Sequence, residues 1–199
     1  MKRIAVICVL MIGATATAGV ASAAEPSFDA EAAMAKLRAL QGDWRGALSY
    51  LDYGTGERQS IGQAASLELT PDGAFLISNG RFTDPGFDVF ILTVQAIDRE
   101  TGDLVETFHR DGEIETSRFK TIEFSETDAG WRFVFETDGR DADRPAAIRR
   151  ILTLENETLT RRKEVDFLDD DASAFIFRNE TVMTRSADPV TFDDFRQKN

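Results

Sequence analysis

The stretch "LQGDWRGALSYLDYGTGERQSIGQ", Leu40 to Gln63, contains the point at which the sequence pattern changes from helix to strand. Before it, "SFDAEAAMAKLRA" has apolar residues at helical spacing and capping and acidic residues at its start, and Gly42 ends the pattern. After Trp44 the apolar residues recur with period two, which is typical of strands. We therefore predict one short helix, about residues 29–41, followed by a β domain.

Turn signals divide the rest of the chain into segments of strand length. Nine of them are built largely from Gly, Pro, Asn and Asp: "YGTGE", "TPDGA", "TDPGF", "ETGD", "RDGE", "ETDAG", "DGRDADRP", "ENET" and "LDDDAS". These residues supply the backbone angles of tight turns. Nine turns separate ten strands, predicted at about 44–53, 58–70, 74–83, 87–98, 103–110, 113–124, 130–138, 146–155, 158–167 and 173–185.

Ten strands linked by consecutive hairpins predict an all-β, antiparallel up-and-down barrel, because closure removes the exposed edge strands. With an even number of strands, the first runs antiparallel to the last. The start of strand one then meets the end of strand ten. This arrangement predicts that Trp44 lies beside Arg185.

The N-terminal segment has the features of a signal peptide. Lys2 and Arg3 precede an apolar run, and "ASA", Ala21 to Ala23, has the small residues of a cleavage site. The run is short for a membrane span. We predict a signal peptide at 1–23 and one domain at 24–199, with a polar tail at about 186–199. The exported chain would be periplasmic or secreted, with no membrane span.

Composition excludes several classes of function. The net charge is −12, which disfavours binding to nucleic acid or anionic lipid. The one cysteine, Cys8, lies in the predicted signal peptide, so thiolate metal sites and cysteine nucleophiles are not expected in the domain. The chain has one histidine, so we expect no His-based zinc site.

The turn at Asn156-Glu157 sets the pairing of the two strands that flank it. A two-residue turn there places Arg149 opposite Glu164 on one face. It places Arg150 opposite Lys163 on the other face, which is more apolar and is the predicted lumen. A register slipped by one residue would instead turn these charges toward water, and the sequence leaves that alternative open.

Cations grouped inside a barrel need an anion nearby, because like charges repel and burial costs solvation. The anion is either an internal carboxylate or the head group of a ligand. The predicted ligand-binding residues are Tyr50, Arg150, Arg161, Lys163, Phe177 and Asn179. We predict no metal site and no catalytic residue.

His109 raises a separate possibility. Some barrels of this shape hold haem through one histidine, so haem at His109 is conceivable. However, the histidine of those proteins lies near the C-terminus, whereas His109 lies at a turn in "ETFHRDGE". We expect an ordinary surface or partly buried histidine and no cofactor.

The residues Gly42, Trp44 and Arg185 resemble the closing motif of the calycin group, which includes lipocalins and fatty-acid-binding proteins. In these barrels, Gly-x-Trp opens the first strand after a short helix, and an Arg from the last strand packs across the Trp. The resemblance also extends to ten-stranded lipocalin-like barrels of exported bacterial proteins. It implies a ligand held in the lumen, and fatty-acid-binding proteins use lumenal Arg and Tyr for a carboxylate.

The expected function is therefore a periplasmic binding protein for a small hydrophobic or amphipathic anionic ligand. Two alternatives remain. A filled barrel would act through surface contacts, as an envelope accessory or inhibitor. A lipid-modifying barrel enzyme, of the isomerase or cyclase kind, would need a polar constellation in the lumen. We expect binding rather than catalysis, and the oligomeric state is left open.

Overall fold

The structure is a computed structural model that describes residues 29–84, 86 and 89–191. The predicted signal peptide and the end of the predicted tail lie outside these residues. One helix precedes ten strands: α1 (Ala30–Arg38), β1 (Gly42–Leu51), β2 (Arg58–Leu69), β3 (Leu76–Phe82), β4 (Phe90–Ile97), β5 (Leu104–Arg110), β6 (Glu113–Thr127), β7 (Gly130–Asp141), β8 (Arg144–Glu155), β9 (Thr158–Phe167) and β10 (Ile176–Arg185).

The ten strands form one closed antiparallel barrel with up-and-down order, as the sequence predicts. Each strand pairs with its neighbours in the chain, and β1 pairs with β10 to close the barrel. The helix is shorter than predicted and ends at Arg38, while β6 and β7 extend beyond their predicted ends. Within the part of the chain that the structure describes, no helix has the length and apolarity that crossing a bilayer requires.

The closure of the barrel joins Trp44 to Arg185. The two residues are paired across β1 and β10, and the guanidinium lies 4.4 Å from the centre of the indole ring. Gly42 has a φ of +133°, and a Cβ at this position would lie 2.6 Å from Nη1 of Arg185. Glycine is therefore needed both for the backbone angle and for the approach of the arginine.

Helix α1 covers one end of the barrel, which we name the helix end. Asp29 caps the helix by accepting hydrogen bonds from its first N–H groups. The indole Nε1 of Trp44 donates to the Leu40 carbonyl at 2.9 Å. Met34 and Leu37 are buried and join the barrel core. The opposite end, which carries the β5–β6 and β7–β8 turns, is named the far end.

The register predicted for β8 and β9 is the one found. Arg150 pairs with Lys163 and Leu152 pairs with Arg161, while Arg149 faces Glu164. Asn156 and Glu157 have φ values of +46° and +65°, the left-handed angles that a two-residue hairpin turn requires. The slipped register is therefore wrong, and Arg150, Arg161 and Lys163 share the inner face.

A β-bulge in β10 changes the face of one predicted site residue. The pairing with β9 shifts between Phe177 and Asn179, so that Arg178 is the extra residue. After the bulge, Asn179 lies on the inner face opposite Lys163. Before it, Phe177 pairs with Glu164 on the outer face. The prediction that Phe177 faces the lumen is wrong, because the inserted residue breaks the period-two alternation.

Candidate ligand cavity

A cavity of about 370 Å³ occupies the barrel between the packed helix end and the far end. Its floor includes the side chains of Leu104, Phe135 and Leu152. It reaches the β5–β6 turn, where Arg110 and Glu115 form part of its lining. This volume is at the small end of the range for pockets that hold small molecules.

The cavity has two chemically different walls. One consists of β8, β9 and β10 and presents Arg150, Arg161, Lys163, Asn179 and Thr181. The other lies across the barrel on β3, β4 and β5 and combines apolar side chains such as Phe82, Ile91 and Phe108 with the polar Gln95 and Glu106. Cations on one wall opposite apolar side chains on the other suit a molecule with one charged and one apolar part.

Arg150 is neutralised by a carboxylate of the barrel itself. Its Nη1 donates to Oε1 of Glu106, a residue on β5 that is only 3% exposed. The other carboxylate oxygen, Oε2, accepts a hydrogen bond of 2.7 Å from Nε2 of Gln95. The Arg150 guanidinium also lies 4.5 Å from the ring centre of Phe119. Glu106 is thus one of the anions that the sequence requires near the lumenal cations.

Lys163 is neutralised in the same way, nearer the far end. Its Nζ donates to Oδ1 of Asp141 at 2.6 Å, and Oδ2 accepts from Nε of Arg178 and from the hydroxyl of Tyr53, both at 3.1 Å. Arg178 reaches Asp141 because the bulge turns it inward, and it also donates to the Leu51 carbonyl at 2.6 Å. Burial and the negative charge of Asp141 raise the pKa of Tyr53 to about 12.

Arg161 differs from these two cations. It lines the cavity between Leu152 and Thr181, and its side chain makes no hydrogen bond or ion pair with any residue that the structure describes. Its Nε and Nη2 are buried without a hydrogen-bond acceptor. Burial lowers the pKa of the guanidinium; the charge of Arg150 lowers it further, and Glu106 opposes this. Burying a cation without a partner lowers the stability of the fold, so the position of Arg161 requires an explanation.

Four of the six residues predicted to bind a ligand lie in the cavity wall, and Tyr50 and Phe177 do not. The structure brings Arg150, Arg161, Lys163 and Asn179 together in the cavity wall. Tyr50 pairs with Asn179 but is not part of the cavity lining. Thr181 donates to Oε1 of Gln63 at 3.2 Å across the wall.

Three important residues were not predicted: Gln95, Glu106 and Asp141. Glu106 and Asp141 lie on strands that do not pair with those of Arg150 and Lys163, respectively, and Gln95 contacts Glu106. Glu106 and Gln95 do occupy alternate positions of strands with apolar neighbours, and a polar residue on an apolar face is the one signal that indicates them.

His109 does not lie in the cavity wall. It is on β5 between Phe108 and Arg110, which both line the cavity, so the alternation of the strand turns its side chain to the outer face. The imidazole is therefore not placed to ligate a haem inside the barrel. Among the described residues, no group of three His, Cys, Asp or Glu side chains is arranged to hold a metal ion.

Comparisons with known proteins bear on the fold alone. No family model matches the sequence, and no curated protein matches it either. Among solved structures, the crystal structure of Rv2717c from M. tuberculosis is similar, with a TM-score of 0.56 and 12% sequence identity. The match covers 77% of this chain and 97% of that one. At this identity the likeness shows a shared barrel fold and nothing about activity or ligand.

Proposed function

We propose that this protein binds a small amphipathic anion inside the barrel, and that Arg161 receives the charged group. The single observation that carries the proposal is the buried guanidinium of Arg161, which has no anionic or hydrogen-bonding partner among the described residues. Its neighbours Arg150 and Lys163 each have a carboxylate partner. The barrel thus neutralises Arg150 and Lys163 with its own carboxylates and leaves Arg161 for a ligand.

The charge around the cavity supports an anion. The chain as a whole has a net charge of −12, yet the cluster of Arg150, Arg161, Lys163 and Arg178 contacts only two carboxylates in the described part of the chain, those of Glu106 and Asp141. A local positive excess inside an acidic protein favours an anion in the lumen over one on the surface.

The apolar side chains of the opposite wall and the cavity volume indicate what the rest of the ligand is. Phe82, Ile91 and Phe108 offer contact to a hydrocarbon or aromatic group. If each non-hydrogen atom takes about 30 Å³, as a water molecule does in the liquid, a cavity of about 370 Å³ holds roughly a dozen such atoms. A medium-chain carboxylate therefore fits within the cavity.

The location belongs to the same proposal. The basic start, apolar run and small-residue site at 1–23 support export to the periplasm or beyond. The closing contact between Trp44 and Arg185 supports kinship with calycin-type barrels. A binding protein for a small anion in the envelope is consistent with both features.

Calorimetric titration with octanoate tests the proposal. Octanoate has about ten non-hydrogen atoms and fits the volume. Octan-1-ol has the same chain without the charge. We expect octanoate to bind more tightly than octan-1-ol, and Arg161→Met to weaken octanoate binding by about tenfold or more, since a charged hydrogen bond is lost.

The matched control is Arg149→Met. Arg149 lies on the outer face of β8 and is paired with Glu136, so its removal should leave octanoate binding unchanged. Equal affinity for octanoate and octan-1-ol, or octanoate binding that survives Arg161→Met, would overturn the proposal.

A further inference from the structure

The wall opposite Arg161 contains a hydrogen-bond acceptor as well as apolar side chains. Gln95 lies on β4, lines the cavity and is 7% exposed. Its Oε1 is buried and accepts no hydrogen bond from any residue in the described part of the chain. A buried amide oxygen without a donor is uncommon in folded proteins.

The orientation of this amide is fixed by Glu106. Nε2 of Gln95 donates to Oε2 of Glu106 at 2.7 Å, and a carboxylate oxygen can only accept. The other oxygen of Glu106 is held by Arg150. Turning the amide over would set two oxygens against each other, so Oε1 must remain the free end. The chain from Arg150 through Glu106 to Gln95 thus presents an acceptor in a defined direction.

The cavity wall therefore contains both hydrogen-bond donors and a hydrogen-bond acceptor that have no partner in the described part of the chain. Arg161 has unused donors at Nε and Nη2, and Gln95 has an unused acceptor at Oε1. Both residues belong to the lining of one cavity. A plain carboxylate would satisfy Arg161 and leave Gln95 unsatisfied, which lowers affinity relative to a ligand that satisfies both.

We propose that the ligand is a carboxylate that also carries a hydrogen-bond donor, of the hydroxy-acid or amino-acid class, and that Gln95 receives this donor. The inference rests on the proposed function, because it assumes that Arg161 holds the anion. It deepens that function by naming the second polar group of the ligand and the residue that selects for it.

The test compares octanoate with 2-, 3- and 8-hydroxyoctanoate by calorimetric titration of the whole exported chain. We expect at least one hydroxylated isomer to bind about threefold to tenfold more tightly than octanoate, as one added neutral hydrogen bond allows. The methoxy analogue of that isomer can accept but cannot donate. It should bind no more tightly than octanoate.

Two variants test whether Gln95 is responsible for the preference for the hydroxylated isomer. Gln95→Met should remove the preference for the hydroxylated isomer while octanoate still binds. Gln59→Met is the control: Gln59 is exposed on β2 and is not part of the cavity lining, so the same change of side chain there should keep the preference. If Gln95→Met does not fold, the comparison of hydroxy and methoxy ligands on the unaltered protein decides the matter.

The possible failures are distinguishable. If octanoate binds in an Arg161-dependent way but no hydroxylated isomer gains over it, the inference about Gln95 is overturned and the proposed function stands. If a methoxy analogue gains as much as the hydroxy compound, the inference is also overturned. If none of these carboxylates binds, both proposals fall.

Discussion

Arg185 lies across the face of Trp44, with its guanidinium 4.4 Å from the ring centre, and joins the last strand to the first. The same guanidinium donates to the Gln41 carbonyl at 2.6 Å and to the Ala39 carbonyl at 3.0 Å. It therefore ties β10 to the turn between helix α1 and β1. One side chain satisfies the carbonyls at the end of the helix and covers Trp44, the largest fully buried side chain.

Loss of this contact should destabilise the barrel. We expect Arg185→Met to lower the free energy of unfolding by about 1–3 kcal/mol, since charged hydrogen bonds and a cation–π contact are lost together. Urea unfolding followed by tryptophan fluorescence measures this. The control is Arg132→Met, which breaks an exposed cross-strand pair with Glu123 and should change stability by less than about 1 kcal/mol. Equal losses in the two variants would contradict the assigned role.

Replacement of Glu106 should show that it neutralises Arg150. Glu106→Gln keeps the shape of the side chain but leaves the Arg150 guanidinium without its anion. We therefore expect the free energy of unfolding to fall by about 1–3 kcal/mol. This is less than for a fully buried ion pair, because Arg150 is partly exposed. Glu123→Gln is the matched surface change and should stay within about 1 kcal/mol. An unchanged urea midpoint for Glu106→Gln would mean that Arg150 does not depend on Glu106.

The hydroxyl of Tyr53 should ionise at a higher pH than that of an ordinary tyrosine. Its pKa is raised to about 12, chiefly by burial and then by Asp141. The unfolded chain ionises near pH 10, so it releases this proton before the folded chain does, and stability from this group falls as pH rises from about 10 to 12.

Ultraviolet titration of tyrosinate in a Tyr50→Phe background isolates Tyr53, because the chain has two tyrosines. Adding Asp141→Asn should move the midpoint toward 10, whereas Asp138→Asn, an exposed change on the same strand, should not. A Tyr53 midpoint near 10 in the Tyr50→Phe protein would show that Asp141 and burial do not act on it as described.

The turn between β7 and β8 contains removable strain. Ala142 has a φ of +48°, which L-residues adopt at a cost. Ala142→Gly should therefore raise stability by about 0.5–1 kcal/mol. Ala147→Gly, in the extended β8, should lower it by a similar amount. Urea midpoints that move the same way in both variants would be inconsistent with this difference in backbone angle.

The fold could be predicted because its determinants are local. Turn residues, period-two alternation and the Gly42–Trp44 junction each act within a few positions, and the Asn156-Glu157 turn fixes a whole hairpin register. The bulge at Arg178 could not be predicted, because "FIFRNE" contains no glycine or proline to mark it. That one inserted residue moved Phe177 out of the lumen.

The cavity was predictable only in part. The cluster of Arg150, Arg161 and Lys163 follows from one hairpin, so the sequence indicates it. Their partners Glu106 and Asp141 come from β5 and β7, strands that do not pair with the strands of the cations they contact. Which cation lacks a partner is therefore a property of the assembled barrel, and it is this property that points to Arg161.

The most direct measurement of the central claim is the stability of Arg161→Met, with and without octanoate. A buried cation without a partner costs stability, so we expect the ligand-free variant to gain roughly 1–3 kcal/mol over the unaltered protein. Octanoate should stabilise the unaltered protein by mass action and leave the variant unchanged. A variant that loses stability without ligand, yet is stabilised by octanoate as much as the unaltered protein, would contradict the claim that Arg161 is kept for an anionic ligand.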